Sequence, residues 1–293
     1  VPTRAFKHLD LLSASPAEAT FQTSGTTSDL GLRGRHLIPR VSLYEASLLP
    51  CFSAHLMPEG KSLRFISLIP DPEDARGSSL SYMVGAAARR FASRTDYVVD
   101  GSGVVDHGVL AAALADAQAA AEAVLMLGTA FAFMNVMEHS DVCLGPLPQG
   151  SRIMETGGFK GRGRAVPRDE RYEAMSRATS VPVERIVNEY GMTELLSQLY
   201  EPVLTGESLG CGHIAPPWLQ VRAVDPTTLR ELPEGEAGLL TFFDLANAGS
   251  VAHILTEDFG AVRDGRVFLE GRAAGAEPRG CSRAMDELMA VAR

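Results

Sequence analysis

The sequence predicts an α/β fold in which mainly parallel sheets are flanked by helices and followed by a small β-rich subdomain. Short apolar runs alternate with longer segments of helical periodicity in the first two thirds of the chain, a rhythm typical of consecutive β-loop-α units. After Leu209, glycines and prolines separate short strand-like runs. Hydrophobic residues make up 45% of the 293 positions and charged residues 22%, which excludes disordered, collagenous and coiled-coil chains.

The elements of the α/β part follow from local patterns. The first strand stops at Pro70, and the helix after it turns Arg89 and Arg90 to solvent. Short apolar runs bounded by proline or glycine are predicted to be strands, and longer stretches with apolar residues at helical spacing are predicted to be helices. In chain order this gives strands at 65–70 and 97–100 with a helix at 78–93 between them, an alanine-rich helix at 109–127, strands at 131–134 and 152–155, a charged helix at 169–177 and a strand at 187–191.

The β-rich part is predicted from three apolar runs between glycine and proline turns, at 219–224, 238–243 and 266–269. The predicted division is an α/β core at 1–204, a β-rich subdomain at 205–270 and a hinge-like tail at 271–293.

The charge balance and the cysteines exclude several classes of protein. Lys and Arg number 27 against 36 Asp and Glu, a net charge of −9, which argues against non-specific binding to nucleic acid. The four cysteines lie far apart, without zinc spacing, so we expect no disulfide-stapled scaffold and a reducing cytoplasm. The most apolar stretch, 109–134, contains Asp116, Glu122 and Gly128, so no membrane span is predicted.

The first candidate motif is a hydroxyl-rich loop, Thr23-Ser-Gly-Thr-Thr-Ser28. Its hydroxyls and backbone N–H groups suit phosphate oxygens, and Gly25 lets the backbone approach them closely. The Walker A pattern is absent. A flexible Ser/Thr linker is the alternative.

The second motif, Asn188-Glu-Tyr-Gly-Met-Thr-Glu194, follows a predicted strand. Thr193 and Glu194 place a hydroxyl beside a carboxylate, which suits Mg²⁺ carried by a nucleotide, and Tyr190 offers a flat face for a base. The alternative is a strand-to-helix turn in which Thr193 caps the helix and Glu194 lies in its first turn.

The third motif is Thr256-Glu-Asp-Phe-Gly260, before Gly271 and Arg272. Asp258 could accept hydrogen bonds from both hydroxyls of a ribose. The alternative is a plain β-hairpin with an Asp-Gly turn at 264–265.

Taken in order, the three motifs resemble the adenylate-forming superfamily of acyl-CoA synthetases and adenylation domains. Gly157 and Gly158 stand where that superfamily has a glycine-rich, adenine-binding strand end. The closer resemblance is to the LuxE-type long-chain acyl-protein synthetases, the fatty-acid-activating component of the bacterial luciferase operon. It covers nearly the whole chain, and its more specific elements are Thr156-Gly-Gly-Phe-Lys160 and Arg279-Gly-Cys-Ser282.

The resemblance implies an ATP-dependent ligase that forms an acyl-adenylate from a carboxylic acid, a fatty acid in view of the family, and passes the acyl group to Cys281. Arg279 and Arg283 would favour the Cys281 thiolate, although an ordinary tail thiol is the alternative. Glu194 would hold Mg²⁺, with Thr193 beside it. The residues implied to bind ATP are Thr23, Ser24, Gly25, Thr26, Thr27, Gly157, Gly158, Glu189, Tyr190, Gly191, Asp258 and Arg272.

Three departures from the superfamily pattern bear on this assignment. The lysine after the hydroxyl-rich loop is missing, and Arg33 and Arg35 are the substitutes that the sequence offers. The usual hinge aspartate does not follow Arg272. We expect the mobile C-terminal domain and its lysine to be absent, as in acyl-protein synthetases. Lys160 is then the candidate cation, with a solvated basic loop as the alternative.

The remaining predictions concern the binding site of the acyl chain and the partners that receive it. Phe131, Phe133, Met134 and Met137 lie on or after a predicted buried strand and could line an acyl pocket, although core packing is the favoured explanation for any single one of them. An acyl-reductase, an acyltransferase or a carrier protein would receive the acyl group. The alternatives are an acyl-CoA or aryl-CoA ligase and a non-catalytic nucleotide-binding relic.

Overall fold

The computed structural model describes residues 1–13, 16–23, 33–139, 142–157 and 166–272. The chain forms two compact units. We call Leu48–Gly191 with Tyr200–Leu209 the parallel unit, and Val1–Ser47 with Met192–Leu199 and Gly210–Arg293 the antiparallel unit.

The secondary structure is given in chain order. The strands are β1 Ala19–Gln22, β2 Arg35–Ile38, β3 Leu63–Ser67, β4 Ala92–Tyr97, β5 Val124–Thr129, β6 Arg152–Thr156, β7 Ile186–Tyr190, β8 Leu199–Tyr200, β9 His213–Ile214, β10 Leu219–Val224, β11 Gly238–Asp244, β12 His253–Arg263 and β13 Arg266–Arg272. The α-helices are α1 Val41–Leu56, α2 Ser79–Phe91, α3 His107–Ala119, α4 Ala130–His139 and α5 Arg168–Thr179. Short 3-10 helices span Thr3–Lys7, Val183–Arg185, Val203–Thr205 and Leu245–Asn247.

The parallel unit is built on five parallel strands in the order β4-β3-β5-β6-β7. Every residue of β3 and β6 is buried, as expected of parallel strands covered on both faces. Apolar side chains from the strands and from the helices α3, α4 and α5 form one core cluster, which includes Ile66, Met126, Ile153, Leu110, Phe133 and Met175.

The antiparallel unit contains β10, β11, β12, β13 and β9 in that order, each antiparallel to the next, and a separate β1–β2 pair. The predicted turn at 264–265 joins β12 to β13. Asp264 and Gly265 have φ angles of 50° and 70°, the left-handed conformation at both central positions that a tight hairpin turn requires.

The fold class predicted from the sequence is confirmed, and so are most of its elements. The strands expected at 65–70, 152–155, 187–191, 219–224, 238–243 and 266–269 and the helices expected at 78–93 and 169–177 are present with small shifts of their ends. Among the described residues, no helix combines the length and the apolar character that a bilayer crossing requires.

Three predicted elements are wrong. The helix predicted at 109–127 ends at Ala119, and its last residues belong to the buried strand β5. The strand predicted at 131–134 is part of helix α4, which begins where the Thr129 hydroxyl accepts a hydrogen bond from the Ala132 N–H at 3.1 Å. The strand predicted at 97–100 lies earlier, in β4. Short apolar runs do not distinguish a buried strand from a buried helix by periodicity.

Candidate functional site

The base of the hydroxyl-rich loop is closed by two hydrogen bonds in the antiparallel unit. The Thr23 N–H donates to the Gly34 carbonyl at 2.9 Å, and the Gly34 N–H donates to the Thr23 hydroxyl at 2.8 Å. Thr23 therefore holds the two ends of the loop together. Ser24, Gly25, Thr26 and Thr27 lie outside the described residues.

The proposed substitutes for the missing lysine follow the loop. Arg33 and Arg35 are both exposed, and an Arg35 guanidinium nitrogen lies 2.6 Å from a carboxylate oxygen of Asp10. Lys160, the other candidate cation, lies outside the described residues.

Thr193 and Glu194 lie at the centre of a β-turn, not at the start of a helix as the alternative interpretation had it. The Leu195 N–H donates to the Met192 carbonyl at 3.2 Å and closes the turn. Both central residues are partly exposed.

Two fully buried side chains bind the carbonyl groups of this turn. His36 Nδ1 lies 2.7 Å from the Thr193 carbonyl oxygen, and the Asn247 side-chain N–H donates to the Glu194 carbonyl at 2.7 Å. Both side chains have 0% relative exposure. Burial lowers the pKa of His36 to about 4, so the ring is neutral at pH 7. Because a carbonyl only accepts, the Nδ1 atom carries the proton.

The chain after the turn is held by Asp244, at the end of β11. Its carboxylate, which is completely buried, accepts hydrogen bonds from the Leu196 N–H at 3.0 Å and from the Ser197 hydroxyl at 2.7 Å. It also accepts from the Ala246 N–H at 3.0 Å, at the start of the 3-10 helix that carries Asn247. One buried carboxylate thus ties this helix to the segment after the turn.

Because the His36 imidazole is buried, we expect the folded protein to lose stability in acid. The unfolded chain binds a proton at His36 with a pKa near 6.5, whereas the folded chain binds it only near 4. The unfolded state therefore binds more protons as the pH falls from 6.5 to 4, and folding loses up to about 3 kcal/mol over that window. We expect His36→Asn to remove this part of the pH dependence of urea unfolding.

The exposed His8 is the matched control. His8→Asn should leave the pH dependence unchanged between pH 4 and pH 7. If the free energy of unfolding of His36→Asn falls with pH as steeply as that of the wild type, groups other than His36 cause the loss of stability.

Asp258 and Arg272 are paired across the β12–β13 hairpin. Their Cα atoms are partners in the antiparallel register, and the Asp258 N–H donates to the Thr256 hydroxyl at 3.1 Å. The hairpin given as the alternative interpretation is therefore present. The role of Asp258 toward a ribose stays a prediction.

In the parallel unit, the predicted residues lie at the carboxyl ends of β6 and β7, the edge at which open parallel sheets bind ligands. Thr156 and Glu189 are register partners, and the Thr156 hydroxyl donates to the buried Glu189 carboxylate. Gly157 and Tyr190 come next on the two strands. Gly157 has a φ of +65°, which favours glycine, and Tyr190 is partly exposed. Gly158 lies outside the described residues.

A buried polar network that the motifs do not contain supports these two strand ends. The Glu155 carboxylate, with 0% exposure, accepts from Arg171 at 3.1 Å, from the Tyr172 hydroxyl at 3.2 Å and from the Asn188 amide at 2.5 Å. Arg168, at the start of α5, makes a two-pronged ion pair with the buried Glu201. Burial raises the pKa of Glu155 despite the opposing charge of Arg171.

We expect Arg171→Leu to destabilise folding by about 3 kcal/mol, because it leaves the buried Glu155 carboxylate without its cation. Urea unfolding monitored by circular dichroism measures the change. Arg177→Leu is the control, since Arg177 is exposed on the same helix and pairs with the exposed Glu173. That change should cost less than about 1 kcal/mol, and equal losses in the two variants would contradict the assignment.

The four residues predicted to line an acyl pocket lie on helix α4 instead of a strand. Phe133 has 0% exposure and belongs to the core cluster, where its ring packs close to Gly128 and Leu68. Met137 packs against the same cluster, whereas Phe131 and Met134 are partly exposed. An acyl-binding role for any of them stays a prediction.

The sequence motifs therefore identified the turn and the strand ends but missed the residues that hold them. His36, Asp244 and Asn247 carry no recognisable motif. Asp244 ends an apolar run, and a carboxylate in that position is the one local signal that could have indicated a buried cap.

The protein-family model for the acyl-protein synthetase LuxE matches residues 1–290. Two curated relatives are long-chain-fatty-acid–luciferin-component ligases. The chain is 31% identical to that of Vibrio harveyi over 114 residues, which are 38% of this chain and 29% of the relative. It is 43% identical to that of Aliivibrio fischeri over 49 residues, which are 17% of this chain and 13% of the relative.

Solved structures of similar fold include ATP-bound MatB from Rhodopseudomonas palustris, with a TM-score of 0.62 and 15% identity over 87% of this chain and 48% of MatB. The O-succinylbenzoate coenzyme A synthetase MenE from Bacillus subtilis, in complex with AMP, has a TM-score of 0.56 and 16% identity over 90% of this chain and 51% of MenE. This chain thus spans about half of these structures, and the low identities show a shared fold alone.

Proposed function

The chain belongs to the LuxE acyl-protein synthetase family, and on that premise we propose that it activates a fatty acid with ATP and transfers the acyl group to a protein cysteine. The observation that carries the proposal is the turn that presents Thr193 and Glu194. This turn lies in the same unit as the closed base of the hydroxyl-rich loop and as Asp258.

In the first step, a carboxylate oxygen of the fatty acid attacks the α-phosphorus of ATP. The bond from that phosphorus to the bridging oxygen breaks, and pyrophosphate leaves with the electron pair. Following the family resemblance, we assign the phosphate oxygens to the loop at 23–28, the ribose to Asp258, and the base to Gly157 and Tyr190. Catalysis in this step is positioning and charge neutralisation.

The hydroxyl of Thr193 and the carboxylate of Glu194 are oxygen donors that fit a magnesium ion bound to the nucleotide. Among the described residues, no group of three or more His, Cys, Asp or Glu side chains is placed to hold a metal ion. Mg²⁺ in nucleotide sites is commonly bound by one or two carboxylates together with substrate phosphates, and Glu194 would be such a carboxylate. When bound, the ion neutralises charge on the phosphates.

In the second step, the Cys281 thiolate attacks the acyl carbonyl. The carbon–oxygen bond to AMP breaks, AMP leaves, and a thioester forms that conserves much of the reactivity of the adenylate. Cys281 lies outside the described residues. An acyl-reductase, an acyltransferase or a carrier protein would then take the acyl group.

The test is pyrophosphate release from Mg-ATP with a panel of fatty acids of different lengths, in the absence of coenzyme A. Acid-dependent release supports activation, and an ATP-dependent, hydroxylamine-labile acyl label on the protein supports transfer to cysteine. Release without a label, with acyl-CoA formed when coenzyme A is added, would favour an acyl-CoA ligase. No release with any acid would favour a non-catalytic nucleotide-binding protein.

A further inference from the structure

Two buried side chains fix the backbone on either side of Glu194. The Thr193 carbonyl belongs to the peptide unit before the Glu194 Cα atom, and the Glu194 carbonyl belongs to the unit after it. His36 binds the first carbonyl and Asn247 binds the second, each at 2.7 Å. Because the direction of a Cα–Cβ bond follows from the two adjoining peptide planes, these two bonds set where the Glu194 side chain points.

The peptide unit held by His36 is the one that can rotate in a β-turn. Types I and II differ mainly by a flip of the peptide between the two central residues, here Thr193 and Glu194. Such a flip points the Thr193 carbonyl away from His36 and gives Glu194 a positive φ, which is disfavoured for a residue with a Cβ atom. Glu194 is not among the described residues with positive φ, so the turn is in the state that His36 stabilises.

The imidazole is suited to this task because it is enclosed and its ring plane is fixed. Its Nδ1–H donates to the Thr193 carbonyl, and the edge-to-face contact with Phe6, with ring centroids 5.3 Å apart, fixes the ring plane. His36 lies two residues after Gly34, which closes the base of the hydroxyl-rich loop. One short strand, β2, therefore ties the end of that loop to the turn that carries Glu194.

We propose that His36, together with Asn247, is a positioning residue that holds the Thr193–Glu194 turn so that the Glu194 carboxylate meets the magnesium ion of Mg-ATP. The inference rests on the proposed function, because it takes Glu194 to be the ligand of that ion. Neither side chain touches the substrate or the reacting atoms. They act on the orientation of Glu194. Their replacement should therefore change the Mg²⁺ dependence of the reaction more than it changes the stability of the fold.

The test compares His36→Leu with His36→Asn. The leucine variant has no donor, whereas the asparagine amide reaches the position of Nδ1 and can donate to the Thr193 carbonyl. We expect His36→Leu to raise the Mg²⁺ concentration for half-maximal pyrophosphate release at least 10-fold and to weaken Mg-ATP binding, measured by calorimetry, by a similar factor. His36→Asn should stay within about 3-fold of wild type in both.

Amide hydrogen exchange of nucleotide-free protein gives a second readout. The peptide covering residues 192–197 should exchange faster in His36→Leu and in Asn247→Leu than in wild type or His36→Asn. Val267→Ala is the control for lost stability, since Val267 is buried in the same unit with 1% exposure and contributes no group to the turn. It should lower the unfolding midpoint without changing Mg²⁺ dependence.

The proposal is overturned if His36→Leu keeps wild-type Mg²⁺ dependence and Mg-ATP affinity, or if its losses match those of Val267→Ala at equal loss of stability. Absence of pyrophosphate release from the wild type is a different result, since it refutes the proposed function. In that case the binding and exchange data decide on the positioning role. A wild type that does not bind Mg-ATP overturns both.

Discussion

Replacing Glu194 with glutamine should lower kcat/KM for fatty-acid-dependent pyrophosphate release by at least about 100-fold, the scale seen when one preorganised charge-stabilising group is removed. Glu194 is partly exposed, and it lies on a turn whose carbonyl groups are hydrogen-bonded to His36 and Asn247. The amide keeps the size of the side chain but loses the negative charge that a magnesium ion requires. We therefore expect little change in the urea unfolding midpoint.

Glu236→Gln is the matched control, because Glu236 is exposed in the same unit and should leave the rate unchanged. Higher Mg²⁺ should partly restore the activity of Glu194→Gln if the carboxylate acts as a ligand. An activity within about 3-fold of wild type at limiting Mg²⁺ would remove Glu194 from the proposed mechanism.

Replacing Cys281 with serine should abolish the hydroxylamine-labile acyl label completely, while acid-dependent pyrophosphate release continues. A hydroxyl is a far weaker nucleophile than a thiolate at neutral pH, and an ester, if formed, resists neutral hydroxylamine. The measurement is a gel of protein incubated with Mg-ATP and an alkyne-tagged fatty acid, with half of each sample treated with hydroxylamine.

Cys143→Ser provides the control for unspecific acylation, since the Cys143 thiol is exposed and should not be the acceptor. The label should persist at wild-type intensity in that variant. A label that survives in Cys281→Ser and disappears in Cys143→Ser would move the acceptor to another thiol and refute the role of Cys281.

The sequence predicted the fold class and the strand ends because both depend on local pattern. The run Arg152–Thr156 has Ile153 and Met154 at its centre and is followed by two glycines, and the run Ile186–Tyr190 leads into the Thr-Glu motif. Both are strands, and they are neighbours in register. The sequence placed Gly157 and Tyr190 at strand ends, and the structure places the two ends at the same edge of a parallel sheet.

Local pattern gave the wrong element where every residue of a short run was apolar, because such a run shows neither the period of a helix nor that of a strand. Residues 125–127 are apolar and follow an alanine-rich helix, so periodicity extended that helix into β5. The next apolar run, 131–134, lies in helix α4, and at the start of this helix the Thr129 hydroxyl accepts a hydrogen bond from the Ala132 N–H. Phe133 lies in the core cluster, and the strand predicted to line a pocket is a helix.

The sequence by itself therefore determined the α/β class, the order of the motifs and the positions of the glycines, because these follow from short-range pattern and composition. The tertiary structure alone decided what holds the motifs. His36 contacts the carbonyl of a residue 157 positions later, and Asn247 contacts one 53 positions earlier. A buried backbone carbonyl accepts a bond from whichever donor the fold brings to it, and no spacing in the sequence encodes that partner.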